Sequence, residues 1–165
     1  MDLPKRKPIR LQNYDYSQNG AYFVTICTQN RTPYFGQINS CSVGADSISA
    51  RIVARVFENT IARYPGLECP AFVVMPDHFH AIIVFDRADM ESAPTLSDVV
   101  QTFKRWSTAQ YSRAVKSDLV PPYNRRLWQR GFYDHVIRNY NDYLECINYI
   151  EQNPLKTQLF FTKEL

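Results

Sequence analysis

Residues 71–85 read AFVVMPDHFHAIIVF, two apolar runs separated by Pro76 and Asp77. Proline cannot donate a ladder hydrogen bond and aspartate favours turns, so the stretch predicts two antiparallel strands joined by a tight hairpin. Side chains alternate along a strand, so His78 and His80 project to one face, with Ile82 and Val84 further along it. Two of the chain's three histidines are thus placed side by side at a strand's start, next to a turn that solvent can reach. That spacing suits two ligands on one metal ion. It equally suits a pair of partly buried histidines satisfied by hydrogen bonds.

Working outward, the turn signal QNG precedes AYFVTICT (Ala21 to Thr28), whose aromatic and β-branched residues predict a strand. NRTPYFGQINSCSVGAD predicts a break, a short hairpin around Ser40 to Gly44, and a second break. Asp46 or Ser47 can cap a helix reaching about Arg63, with Ile48, Ile52, Val56 and Ile61 as its apolar stripe, and YPGLECP closes it. Beyond the hairpin, Thr95 and Asp98 form a capping box with Asp in place of the usual Glu, opening the helix TLSDVVQTFKRWSTAQYSRA. Its stripe of Leu96, Val99, Val100, Phe103 and Trp106 reads as core. SDLVPPYNRR is a loop, LWQRGFYDHVIR an extended element, and a last helix runs from about Asn141 to Asn153, ended by Pro154. Strand, helix, strand, strand, helix, strand is the ferredoxin-like split βαβ order. The expectation is therefore an α+β sandwich with an antiparallel sheet, an accessory hairpin and an extra C-terminal helix. Residues 1–165 are expected to form a single domain, of which residues 1–20 are a basic N-terminal arm.

On the last helix, at about 100° per residue, Tyr140, Tyr143, Leu144, Ile147 and Ile150 fall on one predicted core face. Tyr149 falls almost opposite, among Asp142, Glu145, Cys146, Gln152 and Asn153. A surface tyrosine is the plain reading. Asn153, however, lies four residues on along the same face and can offer an amide oxygen where Tyr149 points. Two imidazoles, an amide oxygen and a phenol make a coherent phosphodiester site. A cation on His78, His80 and Asn153 would polarise a phosphate, and a deprotonated Tyr149 would attack it. Pro154 biases its predecessor away from the helical region, which leaves Gln152 or Glu151 as alternative ligands.

At 165 residues, 45% hydrophobic and 14% aromatic, the chain is long and apolar enough to fold on its own core. The net charge of +3 is unevenly spread. Lys5, Arg6, Lys7 and Arg10 open the chain, and Lys104, Arg105, Arg125, Arg126 and Arg130 lie in its second half, so a polyanion is the natural partner of a local basic surface. Among these bases, Tyr123, Trp128 and Phe132 can stack on unpaired bases or belong to the core. Cys27, Cys41, Cys69 and Cys146 form no CxxC, which excludes a zinc knuckle or a disulfide framework. With no secretory leader and no apolar stretch of membrane-spanning length, a cytoplasmic protein with reduced thiols is expected and a membrane partner is not.

VVMPDHFHAIIVF resembles the His, bulky apolar, His motif of the single-tyrosine HUH endonucleases. RGFYDHVIRNYNDYLECINYIEQNP resembles the C-terminal segment of the REP-associated tyrosine transposases, as do RKPIRLQNYDYSQNGAYFVTICTQNR and YFGQI. The resemblance runs from about Arg6 to Lys156. It implies His78 and His80 as metal ligands, Asn153 as third ligand, Tyr149 as nucleophile, and His135 and Gln152 in supporting positions. It also implies Mg²⁺ or Mn²⁺ as cofactor, a tyrosine helix laid across the sheet, and single-stranded DNA hairpins related to REP palindromes as substrate. The expected activity is metal-dependent nicking and strand transfer through a covalent 5′-phosphotyrosine, by a monomer or a homodimer. Phosphate contacts would come from Arg6, Lys7, Arg10, Lys104, Arg105, Arg125, Arg126 and Arg130, and base stacking from Trp128. The alternative is a domesticated hairpin-binding protein that no longer cuts.

Overall fold

The structure, a computed structural model, describes Tyr14 and residues 18–36, 47–86 and 94–161, with side chains as far as Asn153. Among the described residues four strands and three α-helices follow one another, with a short 3-10 turn at Gln29–Arg31 after the first strand: β1 (Gly20–Cys27), α1 (Ile48–Ala62), β2 (Leu67–Met75), β3 (His78–Phe85), α2 (Leu96–Lys116), β4 (Tyr133–Ile137) and α3 (Tyr140–Phe161). The sheet order is β2-β3-β1-β4 and every pairing is antiparallel. This is the ferredoxin-like arrangement expected from the element order. The accessory hairpin expected around residues 40–44, and Arg6, Lys7 and Arg10 of the basic arm, lie outside the described residues.

The sheet is covered on both sides, which explains why β3 is apolar almost without interruption. On one face Tyr22, Val24 and Ile26 of β1 and Phe79, Ala81, Ile83 and Phe85 of β3 pack with α1 and α2. Phe79 has no exposed surface, and its ring centroid lies 4.7 Å from Phe57 and 5.0 Å from Phe103. The opposite face carries a smaller cluster, in which Ile82 meets Cys146 and Ile150 of α3, flanked by Phe23, Val73, Val84, Ile137, Tyr143 and Ile147. The pleat therefore sends Phe79 into the main core and His78 and His80 toward α3.

The caps behave as their chemistry predicts. Ser47 Oγ accepts from the Ala50 amide at the start of α1, and Thr95 and Asp98 form the reciprocal box that opens α2. Four expectations need correcting. β2 begins at Leu67 and so includes Pro70. It is an edge strand, and its register shifts between Glu68 and Ala71, the setting that tolerates a residue unable to donate. The extended element shrinks to Tyr133–Ile137, because Trp128 makes only an isolated bridge to Thr28. α3 does not stop at Pro154 but continues to Phe161. Proline there removes a single intrahelical donor, and the following Leu, Lys and Gln are good helix formers.

Fourth, the buried face of α3 is rotated from the expected stripe. Cys146 and Ile150 are buried and Tyr143 and Ile147 half-buried, whereas Tyr140 and Leu144 point outward. The sheet beneath presents aromatic rings, and the helix turns so that Tyr149 meets them.

Candidate active site

The two histidines sit opposite the end of β1, Thr25 facing His80 and Cys27 facing His78 across the ladder. Their rings lie 4.6 Å apart. His80 is 4% exposed. Phe23 stacks on it at 5.2 Å, and the Tyr149 ring meets it edge-on at 5.3 Å and Phe23 at 5.6 Å. Tyr149, 46% exposed, thus stands over His80 on one side and in solvent on the other. The expectation that it lies opposite the helix's buried face is corrected by these contacts.

Each imidazole has its Nδ1 engaged by protein. His80 Nδ1 lies 2.9 Å from Thr25 Oγ1. When Nδ1 donates to that hydroxyl, Nε2 keeps its lone pair. That Nε2 is buried and has no hydrogen-bond partner among the described residues. His78 Nδ1 is 2.5 Å from Asp77 Oδ1, which leaves its Nε2 for a ligand. Burial holds His80 down at about 3 and lowers His78 as well, in the latter case against the pull of Asp77. Both rings are neutral at pH 7, with one nitrogen anchored and the other available, as metal-binding histidines require. The donor set fits a divalent cation, and a buried, unpartnered imidazole nitrogen is hard to account for otherwise.

Asn153 is half-buried and lies four residues beyond Tyr149 inside an uninterrupted helix, so both project along one side of α3. Gln152 and Glu151 are exposed. His135, on β4 across from Phe23, does not join the pair: its Nε2 lies 2.8 and 3.0 Å from the two oxygens of Asp142. Asp142 also accepts from the Arg138 amide, and its own amide donates to Asn139 Oδ1. The Cys146 thiol completes a cluster whose donor atoms lie within 4.8 Å of one another. Within it, the hydrogen bonds between His135 and Asp142 tie the first turn of α3 to β4, and Asn139 Oδ1 caps the helix.

Of the expected nucleic-acid contacts, Arg105, Arg125, Arg126 and Arg130 are exposed. Two others are corrected. Trp128 is 4% exposed and its Nε1 donates to Ser107 Oγ at 2.9 Å, so the indole is core and no stacking platform. Lys104 donates to the carbonyls of Gln129 and Gly131 at 2.9 and 2.7 Å, which makes it a strut between α2 and the segment before β4. Burial lowers its pKa to about 8. The three described cysteines are free thiols, and among the described residues no helix is long and apolar enough to cross a membrane.

Sequence reasoning passed over Arg31. Its Nε lies 2.9 Å from Asp77 Oδ2, so that Arg31, Asp77 and His78 form a continuous chain. The visible signal was Asp77 itself, an acid beside an expected phosphate site and in need of a countercharge.

No protein-family model matches the chain. An uncharacterized Haemophilus influenzae protein is 30% identical over 91% of this chain and 88% of its own length. A second protein of that organism, provisionally named a REP-associated tyrosine transposase, is 28% identical over 88% of this chain and 77% of its own. An Escherichia coli REP-associated tyrosine transposase is 30% identical over 58% of this chain and 49% of its own. Among solved structures, a REP-associated tyrosine transposase bound to a REP hairpin superposes with a TM-score of 0.55 at 23% identity, covering 90% of this chain and 74% of that one. At that identity the likeness establishes the fold.

Proposed function

The chain belongs to the REP-associated tyrosine transposases, and from that premise we propose that it nicks and rejoins single-stranded DNA at hairpin-forming palindromes through Tyr149. One observation carries the reading: the Tyr149 ring lies against His80, whose buried Nε2 has no partner among the described residues.

The chemistry follows from these residues. His78 Nε2, His80 Nε2 and the Asn153 amide oxygen would hold Mg²⁺ or Mn²⁺, which supplies Lewis-acid polarisation of a phosphate oxygen. With Thr25 and Asp77 accepting from the two Nδ1 atoms, those Nε2 nitrogens stay open. Phe23 excludes water from one side of His80, and the solvent-exposed edge of Tyr149 admits the DNA. The Tyr149 phenol loses its proton to water and its oxygen bonds to phosphorus. The bond from phosphorus to the 3′-oxygen breaks, and that oxygen takes up a proton. A 5′-phosphotyrosine and a free 3′-hydroxyl result. Attack by a 3′-hydroxyl on the same phosphorus reverses the step, so joining needs no external energy source. The hairpin named with the solved relative suggests the substrate, a palindrome with single-stranded flanks.

The test is a covalent adduct. Wild-type and Tyr149→Phe protein are incubated with Mn²⁺ and hairpin oligonucleotides from the source genome, then resolved on denaturing gels with mass spectrometry of the peptide. A DNA adduct on the Tyr149 peptide, absent from the variant and with chelator, is the expected result. Tight hairpin binding without an adduct would favour a protein that binds palindromes and does not cut them.

A further inference from the structure

Beyond the end of β1 the chain makes a turn, Gln29–Arg31, in which Asn30 and Arg31 both take the left-handed conformation, with φ of 56° and 57°. Asparagine tolerates that region, whereas arginine lacks the short polar side chain that makes it tolerable there. The turn is held from several sides. The Thr28 amide donates to the Asp77 carbonyl at 2.9 Å, the Thr28 hydroxyl lies 2.9 Å from the same oxygen, and the Gln29 amide donates to the Leu127 carbonyl at 2.9 Å. Such over-determination of an unfavourable backbone is a reason to ask what the side chain does.

The Arg31 guanidinium returns over the sheet. Nε pairs with Asp77 Oδ2 at 2.9 Å and Nη1 donates to Cys27 Sγ at 3.0 Å. Cys27 is the ladder partner of His78, and by the alternation of β1 it lies on the same face as Phe23 and Thr25, the face that carries the two histidines. The guanidinium therefore lies at the rim of the His78–His80 site. It is close enough that its charge contributes to lowering both imidazole pKa values. Two of its five N–H groups are committed, and the side chain is 52% exposed. An ion pair at a solvent-facing rim contributes little stability by itself, and sulfur is a weak acceptor, so these contacts aim the fork more than they hold it. What a rigidly aimed, half-exposed guanidinium next to a phosphodiester site recognises is a phosphate oxygen.

We propose that Arg31 is a substrate-contacting residue, donating to a non-bridging oxygen of the DNA phosphodiester seated between His78, His80 and Tyr149. The inference rests on the nucleic-acid reading of that site but not on cleavage. Asp77 then has two tasks: it holds the proton side of His78 and sets the direction of the fork.

The experiment measures binding, in the Tyr149→Phe background with Mn²⁺. Fluorescence anisotropy gives the affinity for a genomic hairpin oligonucleotide with single-stranded flanks, and for a series in which each flank linkage in turn is a neutral methylphosphonate. Arg31→Gly accommodates the left-handed backbone while removing the cation, and Arg31→Lys keeps the charge without the fork. Arg31→Gly should weaken the all-phosphodiester hairpin by about 10- to 100-fold, the range of a charge-assisted hydrogen bond. At one linkage the methylphosphonate should cost the parent a similar factor and cost Arg31→Gly nothing further, with Arg31→Lys between. Losses that multiply at every linkage, or a parallel loss of Mn²⁺ affinity measured without DNA, would overturn the contact and leave Arg31 as a support for the turn. Linkage-specific coupling in a protein that forms no tyrosine adduct would sustain Arg31 and sink the cleavage reading. An adduct without coupling would do the reverse, and a parent that binds no hairpin would sink both.

Discussion

Replacing Thr25 by Val and His80 by Phe together should make the metal-free protein more stable. His80 is 4% exposed and its Nε2 is buried with no partner among the described residues, a condition that costs about 1–3 kcal/mol. Replacing His80 alone would also strip Thr25 Oγ1 of its 2.9 Å partner, at a loss of about 0.5–1.5 kcal/mol, which is why both positions change. Phenylalanine keeps a flat ring for Phe23 at 5.2 Å and for the Tyr149 edge at 5.3 Å, so packing on either side survives. A net gain of about 1–2 kcal/mol follows, or roughly 2–8 °C in Tm for a chain of this size. Thermal and urea unfolding in chelator, then with Mn²⁺, measure it. The cation should stabilise the wild type, by about 2.7 kcal/mol at a hundredfold excess over Kd, and leave the double variant unmoved, so that the order of stabilities narrows or inverts. A metal-free double variant destabilised by more than about 1 kcal/mol would show that the His80 pocket is ordinary core and that no ligand is missing from it.

Trp128→Phe, which deletes the hydrogen bond to Ser107, should cost about 1–2 kcal/mol in urea unfolding while hairpin affinity stays unchanged; a large affinity loss would restore the indole as a base-stacking residue. Lys104 has a folded pKa of about 8 against an ordinary 10.5, so between these values the unfolded chain binds more protons and stability rises with pH. The wild-type advantage over Lys104→Met should therefore be constant below pH 8 and grow up to about pH 10.5; a flat difference across that window would contradict it. Asn139→Ala should remove the cap of α3, destabilising by about 1 kcal/mol, and slow adduct formation without altering Mn²⁺ affinity, because the cap orients the tyrosine helix and touches neither histidine. A change in Mn²⁺ affinity would mean that the cap acts on the ligands after all.

The fold was legible wherever one local rule operates alone. Pro76–Asp77 marks the hairpin, Ser47 and the Thr95–Asp98 box mark helix starts, and the element order then permits the observed sheet. It was least legible where partners decide. Pro154 reads as a stop, yet a single missing donor does not end a helix flanked by good helix formers. The stripe on α3 pointed to Tyr140 and Leu144, but the helix turns to meet Phe23 and His80, rings contributed by two other strands. Within the site, the spacing of His78 and His80 showed that both face one way. Which nitrogen each keeps open depends on Thr25 and Asp77, and no spacing reveals that. Trp128 and Lys104 looked like nucleic-acid contacts because their residue types are right, whereas their burial is set by Ser107 and by three successive backbone carbonyls.

The pleat of β3 also bears on how such a protein can change. Residues 79, 81, 83 and 85 answer to the core beneath α1 and α2, and residues 78, 80, 82 and 84 to the surface beneath α3. Selection can therefore alter the second set while the first keeps the domain folded, and a library randomised at 80, 82 and 84 would sample new chemistries on a constant scaffold. An insertion or deletion of one residue has no such freedom, because it exchanges the two sets and loses both properties at once.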